Sequence, residues 1–320
     1  METLQWCGVG RLLPYWPQAG RKEIGSKEEE EVRKAGQVMV STISFIQSNL
    51  QHIIAASGIL TRTVGARGRD LAQIQEPWYR DGCVSGLGIP GYTLYCVRGK
   101  DRTRACILAR DMNIWELPGF SCRDLVAVLV TYEVDGAEKR LVVCSAYLPY
   151  DSDDPPLSRT LEELFRHCGK ENIQLLVGCD SNAHHTAWDS TNCNGRGEAL
   201  MGFLHSTSLE ILNSGSEPTF YTSVRRELID IALGSYGLMD SITDWEVSSE
   251  PSLSDHRHIL FSLRGSTPVL YIRNLRGTNW GSIRGNLREK LGVGSGDEHE
   301  GRSWIGACNL LDAAGPYLSL

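Results

Sequence analysis

Leu253-Ser254-Asp255-His256-Arg257 places a carboxylate and an imidazole immediately before an apolar run that continues through residue 263. A strand begun this way delivers both groups to one edge of a sheet. Towards the N-terminus the same construction recurs. Leu228-Ile229-Asp230-Ile231 holds a single acid among apolar residues, and Val177-Gly178-Cys179-Asp180-Ser181-Asn182 ends on an acid and an amide. Ile74-Gln75-Glu76-Pro77-Trp78 ends a further run on an acid. Strands that each finish on a carboxylate or amide build one rim of oxygen ligands and proton acceptors. Metal-assisted hydrolysis of a phosphodiester needs such a rim.

The chain has 320 residues, 41% of them hydrophobic, with mixed charge. That describes a globular protein of one large domain with appendages. No apolar run approaches the roughly 20 residues that span a bilayer, and the first 16 residues lack the apolar core and cleavage site of a secretory signal. The ten cysteines show no Cys-x-x-Cys spacing. Several, such as Cys106 and Cys144, sit inside apolar runs, so reduced thiols in the nucleus or cytoplasm are expected. A net charge of −7 gives no general attraction to nucleic acid, so DNA binding would need a local basic face and divalent cations.

Residues 1–42 form a charged arm that includes the acidic run Glu28 to Glu31. Strand-like alternation begins at residue 43 and covers 43–49 and 70–75. Residues 124–134 and 140–148 are apolar, β-branched runs joined through Asp135-Gly136, a hairpin turn. Helical spacing covers residues 53–64, 157–167 and 196–206, and strands are expected at 173–177, 210–212, 220–223, 228–233, 243–247 and 256–263. Many strands with a few amphipathic helices predict two packed sheets flanked by helices. The pattern dissolves after Arg264, leaving 265–320 as a tail with one short helix around 283–291.

Glu76 is a hard oxygen ligand of the kind Mg²⁺ prefers, although taken alone it reads more readily as an exposed carboxylate. Asp180 and Asn182 would share one face of an extended segment, one to orient a water and one to donate to a phosphate oxygen; the pair also reads as an Asx turn. Asp230 in an apolar strand is costly without a partner, and His256 is the candidate. A carboxylate on one imidazole nitrogen fixes the tautomer and frees the other nitrogen for a phosphate. His184 and His185 lack a third metal ligand at suitable spacing and read as loop residues near the substrate.

These residues resemble the endonuclease/exonuclease/phosphatase superfamily, which includes DNase I and the apurinic endonucleases. Ile46-Gln47-Ser48-Asn49 matches its metal-site asparagine at Asn49, Glu76 its metal-ligand glutamate, and Tyr147 in Ser145-Ala146-Tyr147-Leu148-Pro149 its active-site tyrosine. Asp180 and Asn182 match its Gly-Asp-x-Asn motif, with Cys179 as an inserted residue, Asp230 its Ile-Asp-Leu motif, and Asp255-His256 its terminal Ser-Asp-His. The resemblance covers residues 43–264. It implies a DNase I-like α/β (α+β) fold: a four-layered α/β sandwich of two mixed β-sheets packed face to face and flanked by helices.

The stretch 178–185 with Trp188, Gln75-Glu76-Pro77-Trp78, and residues 273–280 of the tail narrow the likeness to the endonuclease domain of jockey-type non-LTR retrotransposons. That likeness implies a Mg²⁺-dependent DNA endonuclease, with Mn²⁺ as a possible substitute. Its nick leaves a 3′-hydroxyl for a reverse transcriptase, and residues 265–320 would be a linker upstream of that missing domain. Asn49, Glu76 and Asp255 would hold the metal, Asp180 would orient the water, and Asn182 and His256 would contact the phosphate. Asp230 would orient His256, and Tyr147 would support the phosphate. The same fold also admits a phosphoinositide or sphingolipid phosphodiesterase, and a decayed remnant with only a binding role.

Overall fold

The computed structural model describes residues 41–99, 102–150 and 157–266. Most of the charged arm, and of the tail with its short helix and residues 273–280, lies outside the described residues.

Two six-stranded sheets make the frame. The first runs β11 (Ile242–Val247), β12 (Ile259–Arg264), β1 (Thr42–Asn49), β2 (Leu71–Gln75), β4 (Ala105–Arg110) and β3 (Tyr92–Tyr95). The second runs β9 (Leu209–Ile211), β10 (Asp230–Ser235), β8 (Gln174–Asp180), β7 (Ala137–Tyr147), β6 (Leu125–Val134) and β5 (Ile114–Glu116). Both are mixed: β1 lies parallel to β2 and antiparallel to β12, while β8 lies parallel to β7 and antiparallel to β10.

The period-2 alternation assigns each face. Ile43, Phe45, Leu71 and Ile107 of the first sheet share an apolar cluster with Val128, Val143 and Leu176 of the second, so the sheets pack face to face. Ile46, Ala72 and Ile74 point outward beneath α1 (Ile54–Arg67). On the far side, Val142, Leu175 and Val177 lie beneath α2 (Arg159–Glu171) and α3 (Gly195–His205). Helix, sheet, sheet and helices give the four-layered sandwich that the sequence implies. No helix of the described residues is long and apolar enough to cross a membrane.

Local choices explain the element ends. Asp135 and Gly136 both have positive φ, 51° and 77°, which is the two-residue turn that suits the right-handed twist of β6 and β7. Ser158 caps α2 by accepting from the Leu161 amide, and Asn194 caps α3 by accepting from Gly197. Cys106, Cys144 and Cys179 are fully buried free thiols whose ionisation burial opposes strongly. They act as small hydrophobes.

His258, fully buried at the foot of β12, sets an acid limit on stability. Its Nδ1 lies 2.9 Å from the Ser48 hydroxyl, and Nε2 has no hydrogen-bond partner. Burial, partly offset by Glu250 and reinforced by Arg67, lowers its pKa to about 4. The unfolded chain therefore takes up this proton near pH 6.5 while the folded chain resists until about pH 4. Stability on the order of 3 kcal/mol is lost as pH falls through that window. The melting temperature of the parent should drop more steeply there than that of His258→Gln. Parallel profiles would remove His258 as the cause.

Candidate active site

Register places three of the candidate side chains in one row. Asp180, the last residue of β8, pairs with Tyr147 of β7 on one side and with Asp230 of β10 on the other. All three face the first sheet, where Asn49 ends β1 opposite Gln75, the residue before Glu76. The site therefore straddles the two sheets at the end where their facing layer turns polar.

Contacts across this gap are short. Asn49 Nδ2 donates to Asp180 Oδ2 at 2.8 Å, and Asn49 Oδ1 accepts from the Gln51 amide at 2.8 Å. His256 Nδ1 lies 2.8 Å from Asp230 Oδ2, with both side chains buried. The Phe220 ring packs edge-on against the imidazole at 5.0 Å between centroids, and the Ser252 hydroxyl donates to the His256 carbonyl. The ring is thus fixed with Nε2 as its other donor. Burial opposes the imidazolium, but Asp230, then Asp180 and Glu76, outweigh it and raise the pKa to about 9. His256 is a cation at neutral pH.

The acids divide by environment. Burial and the neighbouring Asp230 push Asp180 above the ordinary carboxylate range, against the pull of His256, Asn49 and the Asn182 amide. Burial also pushes Glu76 up, but His52, Asn49 and His256 more than reverse this and hold it low. His52 Nε2 lies 3.4 Å from Glu76 Oε1. Tyr147 is held well above its usual range by burial and by Glu76 and Asp180, so it stays a neutral hydroxyl donor. The Arg104 guanidinium sits 4.7 Å from the Tyr147 ring centroid and pairs with Asp124.

Three sequence expectations need correction. Asp180 and Asn182 do not alternate on an extended segment, because Asn182 adopts φ 46° and its backbone N–H turns back to Asp180 Oδ1 at 3.1 Å. This is the Asx turn; one amide hydrogen of Asn182 goes to the Leu148 carbonyl at 3.2 Å. Asp230 is the first residue of its strand rather than an interior one, with its N–H donated to the Thr219 hydroxyl. Finally, His185 does gain companions. Cys193 and Glu198 bring ligand atoms within 4.8 Å of it through the turn that starts α3. Yet His185 Nδ1 accepts from the Ala187 N–H at 3.0 Å, which leaves the proton of a neutral ring on Nε2, facing Glu198 at 3.8 Å. A metal on Nε2 would need the opposite tautomer, so this trio serves the turn. His184 is engaged with Arg225 and Glu227.

Of the residues expected to hold a metal, Asn49 and Glu76 lie together, while Asp255, next to His256 in sequence, is exposed and clasped by Gln51 through two hydrogen bonds of 2.8 and 3.1 Å. A hard divalent cation fits this end of the sandwich. The carboxylate and amide donors here are oxygens, buried Asp230 Oδ1 has no hydrogen-bond partner, and a carboxylate oxygen of Asp180 lies within 4.8 Å of one of Asp230. Positive charge there would relieve the mutual repulsion of the carboxylates. Sequence reasoning missed Arg104, His52 and Thr219, which touch Tyr147, Glu76 and Asp230; no motif marks them.

The chain has a DNase I-like α/β sandwich fold with a row of acid, imidazole and amide groups at one end. Within it, residues 141–260 match the family described as endonuclease-reverse transcriptase. The endonuclease domain of TRAS1, a telomere-specific non-LTR retrotransposon, superposes with a TM-score of 0.61 and 26% identity over 70% of this chain and 99% of that one. An AP endonuclease from Leishmania major gives 0.56 and 14% over 70% and 88% of the two chains. The catalytic domain of Xenopus laevis APE2 gives 0.55 and 16% over 72% and 94%. These last two likenesses concern the fold alone. No curated protein matches the sequence.

Proposed function

We propose that this chain is a divalent-cation-dependent DNA endonuclease, of residues 43–264, that nicks target DNA to leave a 3′-hydroxyl for a reverse transcriptase. The observation that carries the reading is the buried Asp230–His256 pair beside Asp180, itself held by Asn49 from the other sheet. The likeness to a retrotransposon endonuclease domain at 26% identity supports the choice of substrate.

Asn49, Glu76 and Asp255 would hold Mg²⁺, which when bound supplies positive charge to the phosphate oxygens. Asp180, kept basic by its surroundings, orients a water and accepts its proton as the water oxygen bonds to phosphorus. The P–O3′ bond breaks, leaving a 5′-phosphate, and the leaving oxygen takes a proton from solvent water to become the 3′-hydroxyl. Cationic His256 donates from Nε2 to a non-bridging oxygen, and Asn182 offers its second amide hydrogen to the same group. Neutral Tyr147 donates its hydroxyl from the other side of Asp180.

Supercoiled plasmid incubated with the protein and Mg²⁺ should convert to the open circle and, on chelation, remain supercoiled. Ends from the nick should prime a polymerase directly. Cleavage of phosphoinositide or sphingomyelin with intact plasmid would move the substrate assignment to lipid headgroups.

A further inference from the structure

Beneath the site, the layer between the sheets carries amides where apolar side chains would be expected. Gln47 of β1 and Gln73 and Gln75 of β2 are at most 1% exposed and point into the facing sheet. Each donates from Nε2 to the backbone opposite: Gln47 to the Cys179 carbonyl at 3.0 Å, Gln73 to Cys144 at 2.8 Å, and Gln75 to Gly178 at 3.0 Å. Gln75 also donates to the Ser145 hydroxyl, which in turn donates to the Ile74 carbonyl. These are contacts to strands β7 and β8, within three residues of Tyr147 or Asp180.

The arrangement is costly. The Oε1 atoms of all three glutamines are buried without a hydrogen-bond partner. Two of them are admitted only because residue 178 is glycine. A Cβ there would meet Gln73 Oε1 at 2.8 Å and Gln47 Oε1 at 2.9 Å. Gly178 has ordinary strand geometry, so space for the amides, rather than backbone freedom, is what glycine provides.

Buried polar groups left half-satisfied call for a reason. Apolar packing between two sheets is non-directional and tolerates small slides. The site does not, because Asn49 and Glu76 belong to one sheet and Tyr147, Asp180 and Asp230 to the other. We propose that Gln47, Gln73 and Gln75, with Gly178, are positioning residues that lock the register between the sheets so that Asn49 meets Asp180. Their hydrogen bonds fix both the spacing and the shear of β8 against β1 and β2. This inference rests on the phosphodiesterase reading above.

Gln47→Met and Gln73→Met keep side-chain length and remove the amide. Each should melt within a few degrees of the parent, lower kcat for plasmid nicking about 10- to 100-fold, and leave KM within about twofold. Gly178→Ala, which displaces the same amides from the other side, should give the same split and decides the matter if the methionine variants do not fold. Parent-like kcat in folded variants, or a change confined to KM, would overturn the proposal. If the parent itself does not nick, the activity reading fails but the register can still be judged. A crystal structure of Gln73→Met should show the 2.8 Å Asn49–Asp180 hydrogen bond lengthened or broken, and an unchanged bond would reject the locking role.

Discussion

Asp180→Asn should nick DNA on the order of 10²-fold more slowly than the parent, or worse, while melting at the same temperature or higher in metal-free buffer at neutral pH. The two effects share one cause. Asp180 is buried beside Asp230, and its acidity is weakened accordingly. A carboxyl whose folded pKa lies above its unfolded value loses stability for the fold as pH rises through that folded value. At neutral pH the ionised group is therefore a burden that the neutral isostere does not carry. The Asn oxygen can still accept from Asn49, so the cross-sheet contact survives, while the amide NH2 takes the place of the oxygen that accepts from the Asn182 N–H. It cannot accept a proton from water. Glu76→Ala should lose a comparable factor, for loss of an oxygen ligand held in its ionised form by His52 and Asn49. Parent-like nicking by either folded variant would remove that residue from the site.

Much of this arrangement was legible in the sequence because each candidate site residue lies at or near one end of an apolar strand. Alternation in 43–49 and the apolar, β-branched runs at 124–134 and 140–148 mark strands, and Asp135-Gly136 fixes the turn between the last two. The paired edge strands Tyr92–Tyr95 and Ile114–Glu116 escaped notice, since short half-exposed segments carry little periodic signal. Gln73-Ile74-Gln75 is more instructive. Polar residues alternating with an apolar one suggest a face open to water, yet all of β2 is buried, with the glutamines towards the second sheet. Pattern alone separates the two faces of a strand without saying what covers them. The left-handed turn at Asn182 and the approach of Arg104 to Tyr147 depend on tertiary contacts that no spacing encodes.

The largest effects of all are expected when Asp230 and His256 are changed, and they should not multiply. Asp230 Oδ2 and His256 Nδ1 are 2.8 Å apart in a space bounded by Phe220 and Thr219, and among the described residues neither makes another ion pair so short. Asp230 does two things for the imidazole: it fixes which nitrogen faces the site, and it helps raise the pKa to about 9. Without it, His256 would keep its place but lose charge on burial and be free to turn. His256→Ala removes the donor outright and leaves a buried carboxylate unpaired. Either change should cost on the order of 10²-fold or more in single-turnover nicking, and the double variant should be little worse than the poorer single one. The pH profile supplies a second reading of the same pair. Nicking by the parent should persist up to about pH 9 and fall as His256 loses its proton, whereas in Asp230→Asn the fall should move down towards the ordinary histidine range. A double variant showing the product of the two single defects, with an unmoved alkaline limb in Asp230→Asn, would mean that the residues act separately and that the imidazole owes its charge to something else.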